Sequence, residues 1–505
     1  MTSPWHITYG NYTLTVDRKT RCYRLTDART GMVWADGLSL GWMDLKDRST
    51  GAVSRHEFAA MPTFSVSEKS GAQGKRILFG LECEGVPLDI YLICSEREIQ
   101  MVVESNRDSR THTVEGFGLL PGLCAVSEDD TSYLVLPCGE GIVLTTSGLP
   151  ADLYLPTWDA EIGLTMPFCG AVRSAGGENA SPSLLTLITD SAYSGLRVNR
   201  EAGSASGSWE YRRDPERRRL DLRVLLDAGG DETQIARNYR EKIISDRNHI
   251  PLRRKAQDRP VLASFLGIAS EAEPVSPQWH DLDGLTASLP EAGNRWEAME
   301  ERLETITRSR TDQNPDHLVG DWGGCDWSCV LLEYVRDFRG CASLGTSVSV
   351  PLYSVVYHDV VVPVYTLKAV PDFLDALLRL GYGELSEGSA VPAEAITVLH
   401  EAVRHSFAAF LQSHRFRTPD GSVQEATYSD RTKIVINRNA TETFISDDIV
   451  LPPFGFFLRH PRWEAHNALR LGEQTFPDRA WRIGRSRDGK PLSESGDIER
   501  REFVL

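Results

Sequence analysis

The chain has 505 residues, a net charge of −16 and an apolar share of 41%. That length allows two or three domains, and the acidic balance excludes a general nucleic-acid or anionic-membrane binder, which needs concentrated positive charge. No window approaches the roughly 20 apolar residues of a membrane span, no basic-then-apolar leader opens the chain, and the nine cysteines are too scattered for a disulfide framework or a zinc set. The expectation is a reduced, cytoplasmic protein without metal or cofactor.

Residues 1–228 are almost all strand and turn. Tyr12–Val16, Tyr23–Asp27, Pro87–Ile93 and Glu98–Glu104 alternate apolar and polar side chains, as half-buried antiparallel strands do. Turn chemistry at Thr30-Gly31, Thr50-Gly51 and Ser70-Gly71 punctuates them. The basic run from Arg212 to Arg219 sits among acids and reads as a solvated loop. After a last strand at Arg219–Leu226, Gly229-Gly230-Asp231-Glu232 opens a helix with Asp231 as its N-cap.

Residues 229–415 mix helices with short strands, the pattern of an α/β unit. Helices are expected over 296–310, 371–380 and 392–411. Two segments read as buried strands that end in acids and aromatics. The first is His317–Trp322, followed by Gly323-Gly324-Cys325-Asp326-Trp327. The second is Val350–Tyr357, followed by His358-Asp359. In a (β/α) barrel the carboxyl ends of such strands carry the chemistry, so Asp321, Asp326 and Asp359 are the candidate catalytic acids. Trp322, Trp327, Tyr357 and His358 are candidate sugar contacts. Each has a plainer alternative: the aspartates can cap turns in a glycine-rich loop, and the tryptophans can fill a core. Glu333 ranks lower, because it is expected in the helix after the first strand. Residues 416–505 return to strands at 424–428, 433–437 and 449–456, a small β module whose last thirty residues have a polar composition that allows poor order.

Four local features in this order resemble a known group of proteins: Ala236-Arg237-Asn238-Tyr239-Arg240, Val350-Pro351-Leu352 to His358-Asp359, Ala426-Thr427-Tyr428-Ser429-Asp430, and Leu451-Pro452-Pro453-Phe454-Gly455-Phe456. They resemble bacterial glycoside hydrolases of the endo-α-N-acetylgalactosaminidase-like and related barrel families. The resemblance implies an α+β multidomain protein: a galactose-mutarotase-like β-sandwich (1–228), a (β/α) TIM-like barrel (229–415) and a small C-terminal β domain (416–505). A full barrel takes about 250 residues, whereas 251–415 offers a shortened one. The shortfall falls over residues 254–294, which are rich in Pro, Ser, Ala and acids. Trp322 stands where the resemblance leads one to expect a glutamate, and Arg431 where it leads one to expect a glycine. Two readings follow. In one, a carboxylate pair drawn from Asp321, Asp326 and Asp359 hydrolyses a glycosidic bond. In the other, the chain is a non-catalytic descendant that binds carbohydrate or serves as a scaffold.

Overall fold

The computed structural model describes residues 3–71, 74–105, 107–128, 132–174, 181–214, 216–217, 219–267, 278–290, 293–312, 316–337, 347–366, 385–387 and 406–503. The chain divides into two compact units: Met1–Tyr239 with Ser288–Glu300 and Arg339–Val350, and Arg240–Ala287 with Glu301–Phe338 and Pro351–Leu505. The protein is mostly β, and no helix among the described residues is long and apolar enough to cross a membrane.

The first unit is built from antiparallel sheets of four, ten and six strands. Period-two patterning decides which side chains point inward. In Val86–Cys94 every second residue is buried, and Ser204–Arg212 repeats the pattern with Ala205, Gly207, Trp209 and Tyr211 inside. Leu14, Ile90, Val198 and Trp209, drawn from all three sheets, belong to one continuous apolar core. At about 25 cal/mol per Å² of buried apolar surface, a core of this size supplies most of the drive to fold.

The helix Glu232–Ser245 begins where Asp231 Oδ1 accepts the N–H of Thr233 at 3.0 Å, the capping interaction its sequence specifies. Ile235, Ala236, Tyr239 and Ile243 form its buried stripe. The expected helix over 296–310 is present as Arg295–Asp312.

The second unit contains a five-stranded, wholly parallel sheet whose spatial order follows the chain: Gln278–Asp281, His317–Trp322, Tyr334–Arg336, Val362–Thr366 and Leu385–Glu387. A seven-stranded antiparallel sheet spans Leu411–Phe416 to Ile498–Phe503, accompanied by four short strands.

Three expectations need correction. Val350–Asp359 is not a strand: Leu352–Tyr357 is a helix with every residue buried, and the strand starts three residues beyond Asp359, at Val362. A short, wholly apolar run has no periodicity to separate a buried helix from a buried strand. The polar tail is ordered into the strands Trp481–Ser486 and Ile498–Phe503, paired along their full lengths. The helix expected to reach residue 411 does not, because Leu411 opens a strand. The rest of that helix, like the one over 371–380, lies outside the described residues.

Candidate functional site

The parallel sheet fixes the positions of the candidate side chains. Asp321 is the penultimate residue of His317–Trp322 and is level in register with Val335 and Pro363. It is fully buried. Its Oδ1 accepts the backbone N–H groups of Gly284 at 2.7 Å and Trp322 at 2.9 Å, and its Oδ2 accepts that of Thr286 at 2.7 Å. Burial pushes the carboxyl above the usual carboxylate range, and these three donors oppose that rise without cancelling it.

Trp322 ends the strand, half-buried, with its indole against Gly284. Gly284 has φ +83°, and a Cβ there would stand 2.5 Å from the ring. Glycine is therefore required both by the backbone conformation and by the close approach of the indole. Gly320, two residues before Trp322, is needed for a similar reason: a Cβ there would meet Tyr334 O at 2.3 Å and the Tyr334 ring at 2.5 Å.

Asp326 and Trp327 follow in the short helix Asp326–Cys329, both half-buried. Asp326 occupies its first turn, where an acid faces the positive end of the peptide dipoles. The loop before it is held by Tyr353, whose hydroxyl donates to Gly324 O at 3.1 Å and lies 2.7 Å from Cys329 Sγ.

Tyr357, His358 and Asp359 lie elsewhere on the sheet. They precede Val362–Thr366, so they belong to the amino-terminal side of the parallel sheet, whereas Asp321 and Trp322 belong to its carboxyl edge. Tyr357 is buried against Tyr353, with ring centroids 5.1 Å apart. His358 Nδ1 lies 2.8 Å from Ala409 O, a contact that puts the proton on Nδ1, and its ring packs on Phe407 and Tyr428. Asp359 accepts Arg240 Nη1 at 2.8 Å and Nη2 at 2.9 Å, with His249 Nε2 at 3.4 Å. Burial alone would raise this carboxyl; the hydrogen bonds and charges of His249 and Arg240 outweigh it and hold the group well below the usual range.

Glu333 lies immediately before the strand Tyr334–Arg336 rather than in a helix: its N–H donates to Val319 O and its carbonyl accepts from Val362 N. The carboxylate is fully buried, accepting Arg259 Nε at 2.7 Å and Val319 N at 2.8 Å. Nearby, Lys255 is buried and donates to the carbonyls of Cys329, Leu332 and Val360.

The carboxyl edge carries a further cluster. Tyr334 donates its hydroxyl to Asp281 Oδ1 at 2.7 Å, and Arg336 Nε lies 3.7 Å from the same oxygen. Trp279 meets the Tyr334 ring edge-on at 4.8 Å. The Asp281 side chain is 40% exposed, which makes it the most accessible acid of this group. The sequence signal was Gln278-Trp279-His280-Asp281 before the turn residues Asp283-Gly284, hidden inside a segment whose composition reads as loop. Among the described residues no three His, Cys, Asp or Glu side chains converge as a metal site.

The sequence matches no protein-family model and no curated protein. Solved structures do match. The α-N-acetylgalactosaminidase NagBb from Bifidobacterium bifidum, in its Gal-NHAc-DNJ complex, superposes with a TM-score of 0.66 at 13% identity, over 86% of this chain and 98% of that one. Its ligand-free form gives 0.65 at 14% identity with the same coverage. At that identity the likeness establishes a shared, glycosidase-like fold.

Proposed function

We propose that this chain is a carbohydrate-binding protein of glycosidase-like fold, that it engages sugar at the carboxyl edge of its parallel sheet, and that Asp321 and Asp359 do not form a hydrolytic pair. The reading takes 1–228 as a β-sandwich, 229–415 as a shortened (β/α) barrel and 416–505 as a C-terminal β module. Five parallel strands in chain order support the barrel. The match to an α-N-acetylgalactosaminidase over 98% of its length supports N-acetylgalactosamine or galactose as the sugar class.

The observation that carries the reading is the separation of Asp321 from Asp359 across the sheet. Glycoside hydrolysis needs two carboxyls about 5–5.5 Å apart for retention or about 6.5–9.5 Å for inversion, both reaching the substrate. Asp359 is saturated by Arg240 and His249 on the amino-terminal side. Asp321 has a raised pKa, as a general acid requires, yet both its oxygens accept N–H groups that favour the anion. The carboxyl edge does supply what binding needs: the half-buried Trp322 indole for stacking on a sugar face, and Asp281 and Arg336 as polar partners.

The test joins calorimetric titration of N-acetylgalactosamine with an assay of p-nitrophenyl N-acetyl-α-galactosaminide. Saturable binding without p-nitrophenol release is expected. Turnover that disappears in both Asp321→Asn and Asp359→Asn would overturn the reading.

A further inference from the structure

A second site lies in the first unit. The strand Ser204–Arg212 of the six-stranded sheet leads into Arg213 and Asp214, and the chain then enters the ten-stranded sheet at Arg219–Ala228. Beside this crossing is a cavity of about 50 Å³, lined by Val114, Phe117 and Leu220 together with Arg212, Arg213 and Arg217. That is room for a few water molecules or one small charged group.

The two carboxylates of the cleft are already engaged. Asp214 is buried and accepts the N–H groups of Glu216 and Arg217, each at 2.9 Å, and the Trp296 indole N–H at 2.8 Å. Asp108 accepts Arg213 Nη2 at 3.1 Å and lies 3.6 Å from Arg48. Arg212 and Arg217 have no carboxylate within 4 Å among the described residues. Arg217 lies over Trp296, 3.6 Å from the ring centroid, and Arg212 faces Tyr154 at 5.6 Å. Outside the lining, the Arg295 side chain donates to Thr157 O at 3.3 Å and, among the described residues, its buried Nε has no partner. Burial first, with the charge of Arg212 adding to it, pushes this guanidinium below its ordinary range.

In a chain of net charge −16, cations ordinarily find carboxylates. Here Arg212 and Arg217 line one cavity without a carboxylate partner among the described residues, while its two aspartates are held by other donors, and unopposed positive charge at a concavity concentrates anions. We propose that this cleft binds an oxyanion (carboxylate, sulfate or phosphate), carried by an acidic sugar or present as a free small anion. The planar forks of Arg212 and Arg217 match oxyanion geometry. Val114, Phe117 and Leu220 offer apolar surface to whatever carries the group. The inference is independent of the sugar site at the parallel sheet.

The test is titration of the full chain with sodium sulfate, sodium phosphate, sodium glucuronate and, as a neutral control, glucose, at constant ionic strength, read by calorimetry and thermal shift. Saturable binding of at least one anion and none of glucose is expected. Arg212→Gln and Arg217→Gln should each weaken it by about tenfold, while Arg223→Gln, on another strand, leaves it unchanged. Glucuronate binding tighter than sulfate and phosphate assigns the site to an acidic sugar; equal binding assigns it to a free anion. No saturable binding by wild type, or equal binding by wild type and both cleft variants, overturns the proposal.

Discussion

Arg240 grips Asp359 with both terminal guanidinium nitrogens, at 2.8 and 2.9 Å, and the two side chains are only 10% and 11% exposed. The pair ties the end of the Leu352–Tyr357 helix to the Glu232–Ser245 helix, because Arg240 also donates to Val356 O at 2.6 Å. An acid that the sequence offers as catalytic therefore has a structural task.

Breaking that pair from one side leaves a buried charge. Asp359→Asn or Arg240→Met should each cost about 3–5 kcal/mol, while the double replacement by Leu and Met costs much less. Urea midpoints with unchanged slopes measure this. A loss under about 1 kcal/mol in both single variants would contradict the buried pair.

Asp359 and Asp321 should give opposite pH dependences. The folded pKa of Asp359 lies below its unfolded value of about 3.9, so its contribution is present above that value and lost as pH falls toward the folded one. Asp321 is raised on folding, so its contribution is present at low pH and lost as pH rises through the folded value. Subtracting the unfolding free energies of Asp359→Asn and Asp321→Asn from wild type between about pH 3 and 7 should give slopes of opposite sign.

Lys255 satisfies three carbonyls at once, so Lys255→Met should cost about 3 kcal/mol or more. Burial lowers its folded pKa to about 7, while the unfolded chain keeps the proton to about 10.4. The unfolded chain binds more protons across that window, so the contribution of this group to stability rises with pH from about 7 to 10. Denaturation of wild type and Lys255→Met at three pH values measures the slope.

Gly284→Ala places a methyl 2.5 Å from the Trp322 indole at a φ of +83°, so the ring must move. Sugar affinity should fall about as far as in Trp322→Ala, by roughly tenfold for the loss of one aromatic contact. Titration of both variants checks it, with circular dichroism confirming that each is folded.

Much of the fold was legible where burial alternates. The Pro87–Ile93 and Glu98–Glu104 patterns became paired strands because one face of each meets the core. His317–Trp322 was legible as a parallel strand because its run is apolar and followed by turn residues. Val350–Asp359 misled because β-branched and aromatic residues also suit a helix buried on all sides, and that shift moved Asp359 to the far side of the sheet from Asp321. Asp281 stayed hidden because a four-residue strand is too short to stand out from a loop-like composition. The tail looked unstructured because its strands Trp481–Ser486 and Ile498–Phe503 are largely polar.

The most direct measurement is calorimetric titration of N-acetylgalactosamine into wild type and Trp322→Ala, with p-nitrophenyl N-acetyl-α-galactosaminide turnover followed in parallel. Saturable binding by wild type, binding weakened about tenfold in Trp322→Ala and no turnover in either is the predicted result. Absence of binding by wild type, or turnover that depends on both Asp321 and Asp359, would contradict the account.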